Sequence, residues 1–293
     1  MDVRSQPMRW LLGDIALPVG ERVLVMGVLN LTPDSFSDGG RYQDVDAAVA
    51  RAEAIESEGA DVLDIGGESS RPGSRPVPLE EELARVLPVV TKLAGRLKVP
   101  LSVDTTKAEV ARRCLDLGAA LINDTSALRG DPGMALVVAR AKAGLILMHM
   151  QGIPATMQDR PLYADVVEEV CGFLRGRVEA AVEAGIAWER IAVDPGIGFG
   201  KALDHNLALL GGLSALTALG RPIVIGPSRK AFLGAVLDKP VSEREWGTAA
   251  AVAAGILRGA HVIRVHSVAE MRDVARMSRA IRDAGLELRA TLA

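Results

Sequence analysis

The sequence predicts an α/β protein, a (β/α)8 TIM barrel with a short N-terminal β-hairpin. Three observations lead to this prediction: eight short apolar runs recur along the 293 residues, amphipathic segments separate the runs, and no low-complexity stretch divides the chain. Strands that alternate with helices pair in parallel through right-handed crossovers. Eight such units from Val23 onward match the length of a closed barrel, about 250 residues. An open doubly wound sheet is the alternative, because periodicity does not show whether the sheet closes.

Each predicted strand is apolar almost throughout, as expected for parallel strands buried on both faces. In chain order the runs are residues 23–30, 62–67, 101–106, 121–126, 145–150, 191–196, 223–228 and 261–266. The segments between them have helical periodicity: from Val45 to Ile55 apolar residues recur with a helical spacing, and Gly59 follows as a stop signal. We therefore expect one domain over 1–293, in which a hairpin at about 8–20 plugs the N-terminal end of a barrel at about 23–285.

Composition and charge exclude several classes of function. Aromatic residues make up only 3% of the chain, which argues against a base-stacking platform for single-stranded nucleic acid. With 34 basic and 37 acidic residues the net charge is −3, so no overall positive field attracts nucleic acid or anionic lipid. The longest apolar run, 249–257, is too short to span a membrane, and no apolar secretory segment opens the sequence. The two cysteines have no CxxC spacing and predict no disulfide framework. We expect a cytoplasmic protein without nucleic-acid or membrane partners.

Four aspartates close apolar runs, at the end of the strands where barrels of this kind carry their chemistry. They are Asp64, Asp104, Asp124 and Asp194. One aspartate in such a place is more often the cap of a following helix. Four carboxylates around one mouth, however, cost free energy unless a metal, a cation or a ligand rich in N–H donors meets them. The pattern therefore predicts a polar ligand site.

The last two runs end in cationic residues instead. The seventh run ends at Ser228 and is followed by Arg229 and Lys230. The eighth run contains Arg264 and ends at His266. This part of a barrel commonly binds phosphate, and we expect Ser228 to begin a short helix, Arg229 to Leu233, whose N–H groups also favour an anion. The predicted ligand is thus a donor-rich heterocycle with an anionic tail.

Two long polar loops, 30–40 and 66–74, follow the first two runs and are typical of covers over an active site. The segment 194–201 resembles a phosphate-binding loop but lacks its spacing, so we interpret it as a tight turn that brings Phe199 close to a ligand. No HExxH motif, GxSxG motif or cysteine near a histidine supports a zinc, serine or cysteine hydrolase. The remaining histidines receive no functional role; they are His149, His205 and His261.

Taken together, the strand-end motifs resemble those of bacterial dihydropteroate synthases. The matching segments occur in order at all eight strand ends: MGVLNLTPDSFSDGG (26–40), DIGGESSRPGS (64–74), SVDTTK (102–107), IND (122–124), LMHMQG (147–152), DPGIGFGK (194–201), SRK (228–230) and RVH (264–266). The resemblance implies a transferase of folate biosynthesis. Its members condense 6-hydroxymethyl-7,8-dihydropterin diphosphate with 4-aminobenzoate to give 7,8-dihydropteroate and diphosphate. The resemblance also implies Mg²⁺ as a cofactor and a homodimer.

Carried over onto this sequence, the resemblance assigns binding residues for each substrate group. Those for the pterin would be Asp104, Asn123, Met148, Asp194 and Lys230. Those for the diphosphate would be Asn30, Asp38, Arg264 and His266, with Asn30 as the protein ligand of Mg²⁺. Those for 4-aminobenzoate would be Ser70, Arg71, Pro72, Phe199 and Ser228. The catalytic residues would be Asp104, Lys230, Arg264 and His266. Ser70 replaces the threonine expected in the family, which would loosen the aminobenzoate pocket slightly.

Two alternatives remain at this point. A pterin-dependent methyltransferase would use a similar aspartate and asparagine pocket, but it has no diphosphate to bind, so the long first loop and the RVH segment (264–266) argue against it. A non-catalytic pterin-binding paralogue is expected to lack one or more reactive-site residues. The four that would reveal such a loss are all present: Asn30, Arg71, Lys230 and Arg264.

Overall fold

The computed structural model describes residues 8–31, 41–69 and 72–292. Its strands are, in chain order, β1 (Trp10–Leu12), β2 (Ile15–Leu17), β3 (Leu24–Asn30), β4 (Val62–Gly66), β5 (Leu101–Asp104), β6 (Leu121–Asp124), β7 (Gly144–Met148), β8 (Ile191–Asp194), β9 (Val224–Ile225) and β10 (Val262–Val265). Each predicted run corresponds to one of β3 to β10. Asp104, Asp124 and Asp194 are the last residues of β5, β6 and β8, whereas Asp64 and Arg264 lie within β4 and β10.

The main sheet closes into a barrel. Its strands are parallel and lie in the order β8-β7-β6-β5-β4-β3-β10-β9. Val193 of β8 forms a parallel bridge with Ile223, which precedes β9, and the Val193 N–H donates to the Pro222 carbonyl at 2.9 Å. Because this contact joins the two ends of the sheet, the barrel prediction is confirmed and the open-sheet alternative is wrong.

Helices cover the outside of the barrel between successive strands. They are α1 (Arg41–Ser57), α2 (Leu79–Leu93), α3 (Ala108–Asp116), α4 (Met134–Ala141), α5 (Val166–Glu183), α6 (Leu203–Gly211), α7 (Ala231–Leu237), α8 (Glu245–Leu257) and α9 (Val268–Leu292). In α2, glutamates fill the first turn, where the helix dipole favours negative charge, while Leu83, Val86 and Val90 are buried against the barrel. Within the described ranges, no helix combines the length and the apolar character needed to cross a bilayer.

The N-terminal hairpin fills the end of the barrel at which the strands begin. Strands β1 and β2 are antiparallel, and Trp10 and Leu12 of β1 are fully buried. Trp10 Nε1 donates to the Arg190 carbonyl at 2.9 Å, so the one polar atom of this buried ring has a partner. The hairpin packs on inward-facing residues of the barrel strands, as predicted: Leu24, Met26, Val62, Leu121, Ile146, Ala192, Val224 and Val262.

Strand alternation places polar groups above this apolar layer. Successive side chains of a strand point to opposite faces, so residues two positions after the apolar layer also point inward. On five strands those residues are Asp64, Asn123, Met148, Asp194 and Arg264. On β5, Leu101 and Val103 pack outward against the helices, which leaves Ser102 and Asp104 inside. Toward the carboxyl ends of the strands, the inside of the barrel therefore carries a mostly buried polar layer, of which Met148 is an apolar member.

Candidate active site

Arg264 is the centre of the buried polar layer. Its Nε donates to Asp64 Oδ2 at 2.6 Å, and its Nη2 donates to Asp104 Oδ2 at 2.8 Å. Asp64 is fully buried and also accepts from Ser102 Oγ at 2.6 Å and from Asn123 Nδ2 at 3.1 Å. Two carboxylates on one guanidinium offset part of the cost of burying these charges. Asp64, to which the sequence analysis assigned no binding role, thus holds three of the site's side chains in place.

The protonation of Asp104 is sensitive to its surroundings. Burial raises the pKa of its carboxyl to about 7, Arg264 opposes that rise, and the neighbouring Asp64 adds to it. Burial lowers the pKa of Arg264, but Asp64 and Asp104 more than compensate, so the pKa of the guanidinium is raised. The guanidinium therefore remains charged while Asp104 titrates near neutral pH.

Asp194 and Lys230 form a second charged pair in the same polar layer. Asp194 Oδ1 accepts from the Gly196 N–H at 2.6 Å. Burial raises the pKa of Asp194 and lowers that of Lys230 to about 7, and each charge opposes the shift of the other. The Lys230 ammonium donates to the Ile197 carbonyl and lies 4.0 Å from the centroid of the Phe199 ring. The loop after β8 and Lys230 therefore hold each other in place.

An apolar surface adjoins these charges. Met148, Met150 and Met157 form a buried cluster, and Phe199 packs against it. Thioether side chains are polarizable and adapt to aromatic faces. A polarizable apolar surface therefore lies beside the buried charges.

His266, Ser228 and Asn30 lie near the opening of the barrel. Ser228 Oγ and His266 Nδ1 are 2.9 Å apart, and both Asn30 and His266 are partly exposed. The Asn30 amide oxygen lies beside Gly66, 3.9 Å from the position that a Cβ on that glycine would occupy. Asn30 and His266 therefore lie at the solvent-facing side of the polar layer.

A model of the family described as "Pterin binding enzyme" matches residues 26–266. A dihydropteroate synthase from Synechocystis is 44% identical over 263 residues, which cover 89% of this chain and 91% of that protein. The chain belongs to the dihydropteroate synthase family.

Solved dihydropteroate synthases share the fold. The enzyme from Xanthomonas albilineans, solved with 4-aminobenzoic acid, superposes with a TM-score of 0.88 at 45% identity and covers 94% of this chain and 99% of its own. The enzyme from Burkholderia cenocepacia, complexed with 7,8-dihydropteroate, has a TM-score of 0.85 at 47% identity and covers 96% of this chain and 99% of its own. The predicted family, the barrel fold and the enzyme class, a transferase, are confirmed.

Part of the binding set expected of a dihydropteroate synthase lies outside the described residues: Asp38, Ser70 and Arg71. Pro72 follows directly and is exposed. The described base of the second loop is held by Lys107, which donates to Glu68 and, at 2.5 Å, to the buried Glu82. Arg85 Nη1 donates to the Gly67 carbonyl at 2.7 Å. The loop therefore leaves the barrel from a rigid base.

Asp124 does not face the interior of the barrel, so the expectation that all four strand aspartates line one site is wrong for this residue. Asn123 is the inward residue of β6, so its neighbour Asp124 points to the opposite face. Its carboxylate accepts from the Ser126 N–H at 2.8 Å and from the Leu128 N–H at 2.7 Å. Asp124 thus caps the turn after β6, which is the ordinary role of such an aspartate.

Ser228 does not begin a helix, contrary to the sequence-based expectation. Helix α7 starts at Ala231 and has only seven residues, whereas Arg229 has a left-handed φ of 57°. The Arg229 N–H donates to Thr248 Oγ1 at 3.1 Å, so it is not directed at an anion. The Arg229 N–H is therefore already paired within the protein.

We predict that Gly196→Ala severely impairs the site. Gly196 has a φ of 68°, and an added Cβ would lie 1.9 Å from the His149 carbonyl oxygen, so the loop that carries Asp194 would have to move. The expected result is a loss of pterin affinity, measured by calorimetry. Gly211→Ala is the matched control because no atom lies within 4 Å of its added Cβ. Equal affinities in the two variants would contradict the prediction.

Proposed function

We propose that this chain joins 6-hydroxymethyl-7,8-dihydropterin diphosphate to 4-aminobenzoate, forming 7,8-dihydropteroate and diphosphate. The observation that carries the proposal is the layer of carboxylates and cations inside the barrel. Carboxylates suit the N–H donors of a pterin, and cations suit a diphosphate. The relatives solved with 4-aminobenzoic acid and with 7,8-dihydropteroate support the same assignment.

In this proposal the pterin lies edge-on against the polar layer. Asp194 accepts from the 2-amino and ring N–H groups, and Asn123 and Lys230 meet the remaining ring donors and acceptors. Met148, which is buried in the apolar cluster, packs on the ring face. Because Asp64 accepts from Asn123 Nδ2, the amide oxygen of Asn123 is oriented as the free acceptor.

The reaction requires departure of diphosphate before or during attack by the arylamine. The bond between the pterin methylene and the diphosphate oxygen breaks with its electron pair going to oxygen, and the amine nitrogen then forms the new bond to carbon and loses a proton. Arg264 and His266 stabilise the leaving charge, and Asp104 stabilises the positive charge that develops on the pterin. An arylamine is neutral at pH 7, so the attack needs no strong general base.

The 4-aminobenzoate is proposed to lie next to Phe199 and Ser228, with Pro72, Ser70 and Arg71 closing the pocket. Phe199 is already ordered by Lys230 above its ring. Ser228 Oγ is 2.9 Å from His266 Nδ1, so the serine that would bind the substrate carboxylate is also oriented by the histidine assigned to the diphosphate. This contact links the two substrate sites.

Magnesium fits the residues around Asn30. In the described ranges no group of three or more His, Cys, Asp or Glu side chains could hold a metal ion. Mg²⁺ retains waters and is often held by few protein oxygens plus substrate phosphates, so the single amide oxygen of Asn30 would suffice beside a diphosphate. The family resemblance adds Asp38, which lies outside the described residues. When bound, the ion would neutralise charge on the departing diphosphate.

We infer one domain and a cytoplasmic location, as expected from the sequence, and a homodimer, as implied by the family resemblance. Support for an association surface comes from large apolar side chains on two helices that pack together, α8 and α9. Trp246 is 84% exposed, and Met277 and Ile281 are 62% and 52% exposed. Aromatic residues and methionine are enriched at protein interfaces.

The decisive experiment measures diphosphate release from the pterin diphosphate with Mg²⁺ present. Release should depend on 4-aminobenzoate, and 7,8-dihydropteroate should appear in equal amount. Release that is independent of 4-aminobenzoate would indicate a hydrolase, and no release would favour the non-catalytic paralogue. Either outcome refutes the proposed function.

A further inference from the structure

Lys201 is a buried lysine that has no role in the proposed reaction. It ends the loop 194–201, and only 2% of its surface is exposed. Within the described residues, no carboxylate lies in ion-pair distance of its ammonium. Burial lowers the pKa of this ammonium to about 7, and the charge of Asp194 opposes that shift. Burying an ammonium without an ion-pair partner is costly, so its retention in this loop calls for a physical reason.

The hydrogen-bond donors of this ammonium are satisfied by neutral acceptors. Lys201 Nζ lies 2.9 Å from His149 Nδ1, 2.9 Å from the Phe199 carbonyl oxygen and 3.4 Å from the His149 carbonyl oxygen. His149 Nδ1 accepts a hydrogen bond from this ammonium only when it carries no proton. Burial, followed by the charges of Lys201 and Arg129, lowers the pKa of His149 to about 3, which keeps the ring neutral at physiological pH.

These contacts fasten the loop after β8 to the end of β7. Gly196 passes so close to the His149 carbonyl that no side chain fits between them, and an added Cβ on Gly200 would lie only 2.5 Å from the Gln151 carbonyl oxygen. Lys201 reinforces this contact, because its ammonium contacts His149 at the end of β7 and the Phe199 carbonyl within the loop. The loop it fastens carries Asp194 at one end and Phe199 near the other.

We propose that Lys201 is a positioning residue for pterin recognition: with His149 it holds the loop 194–201 in place, and in its protonated form it places a positive charge near Asp194. This inference rests on the proposed function, in which Asp194 binds the pterin edge. It adds two residues, Lys201 and His149, that touch neither substrate in that proposal.

The charges around Asp194 explain why the position of this ammonium matters. Burial raises the pKa of Asp194, and Lys230, the Gly196 N–H, Arg264 and Lys201 oppose the rise. Lys230 comes from the segment after β9 and Arg264 from β10, so Lys201 is the cation on the loop itself. Removing it should raise the pKa of Asp194 further. A smaller fraction of Asp194 would then be ionised and able to accept hydrogen bonds from the pterin N–H groups.

The test compares Lys201→Met with the parent enzyme and with Lys92→Met, which removes an exposed lysine from α2. For Lys201→Met we expect the Kd of the pterin diphosphate at pH 7 to rise about tenfold, while kcat with both substrates saturating changes less. We also expect the acidic limb of the pH profile of kcat/KM to move to higher pH. Lys92→Met should match the parent in all three.

A pair of His149 variants tests the positioning role separately, in case Lys201→Met does not fold. His149→Asn keeps an acceptor near the position of Nδ1 and should behave like the parent, whereas His149→Leu removes the acceptor and should weaken pterin binding. Equal binding by this pair, or a folded Lys201→Met with the parent's Kd and acidic limb, would overturn the inference. A parent enzyme without aminobenzoate-dependent release would instead overturn the proposed function.

Discussion

Asp194→Asn is expected to abolish useful binding of the pterin diphosphate while leaving the fold intact. The carboxylate would accept two pterin N–H groups, whereas the asparagine amide presents a donor to one of them. Each unpaired buried donor costs about 1–3 kcal/mol, so binding should weaken by about a hundredfold or more. Isothermal titration with the pterin diphosphate measures this loss directly.

The same variant should be at least as stable as the parent at pH 7. Burial raises the pKa of Asp194, which means that the folded state disfavours its charge. A neutral asparagine removes that penalty, and its amide oxygen can still accept from the Gly196 N–H. Urea unfolding therefore serves as the control. Parental affinity in Asp194→Asn would show that Asp194 does not bind the pterin.

Arg264→Met is expected to destabilise the protein and to remove activity together. The guanidinium holds Asp64 and Asp104, at 2.6 Å and 2.8 Å, inside the barrel. Removing one partner of a buried ionic cluster leaves uncompensated charge and costs about 3–5 kcal/mol. The free energy of unfolding, from urea denaturation at pH 7, should fall by that amount.

A double variant separates the two effects of Arg264. Adding Asp64→Asn to Arg264→Met removes one of the stranded carboxylates, so part of the lost stability should return. Activity should not return, because the guanidinium that stabilises the leaving diphosphate is still absent. If Arg264→Met were as stable as the parent, the cluster would contribute nothing to the fold. If the double variant were active, Arg264 would have no role in the chemistry.

The sequence was a good guide wherever a local pattern carries the information. Eight apolar runs gave eight parallel strands because a strand buried on both faces needs apolar residues along its whole length. The positions of Asp104 and Asp194 at strand ends followed from the same pattern. The family resemblance, carried by motifs at all eight strand ends, was confirmed by relatives over most of the chain.

The sequence pattern did not show which residue of each strand faces the inside of the barrel. Asp124 closes an apolar run just as Asp104 does, yet one position of difference along β6 turns it away from the cavity and turns Asn123 inward. A one-residue shift reverses the face of every side chain on a strand. The sequence pattern could not show this, because the whole run is apolar apart from its last residues.

The amino-acid sequence by itself determined the alternation of strands and helices, the family and the types of residue available at the mouth of the barrel. Only the tertiary structure decided closure through Val193 and Ile223, the pairing of Arg264 with Asp64, and the contact of Lys201 with His149. Periodicity and turn signals act between near neighbours in the chain. These contacts join residues 30, 200 and 52 positions apart, and they depend on which side of each strand faces the cavity.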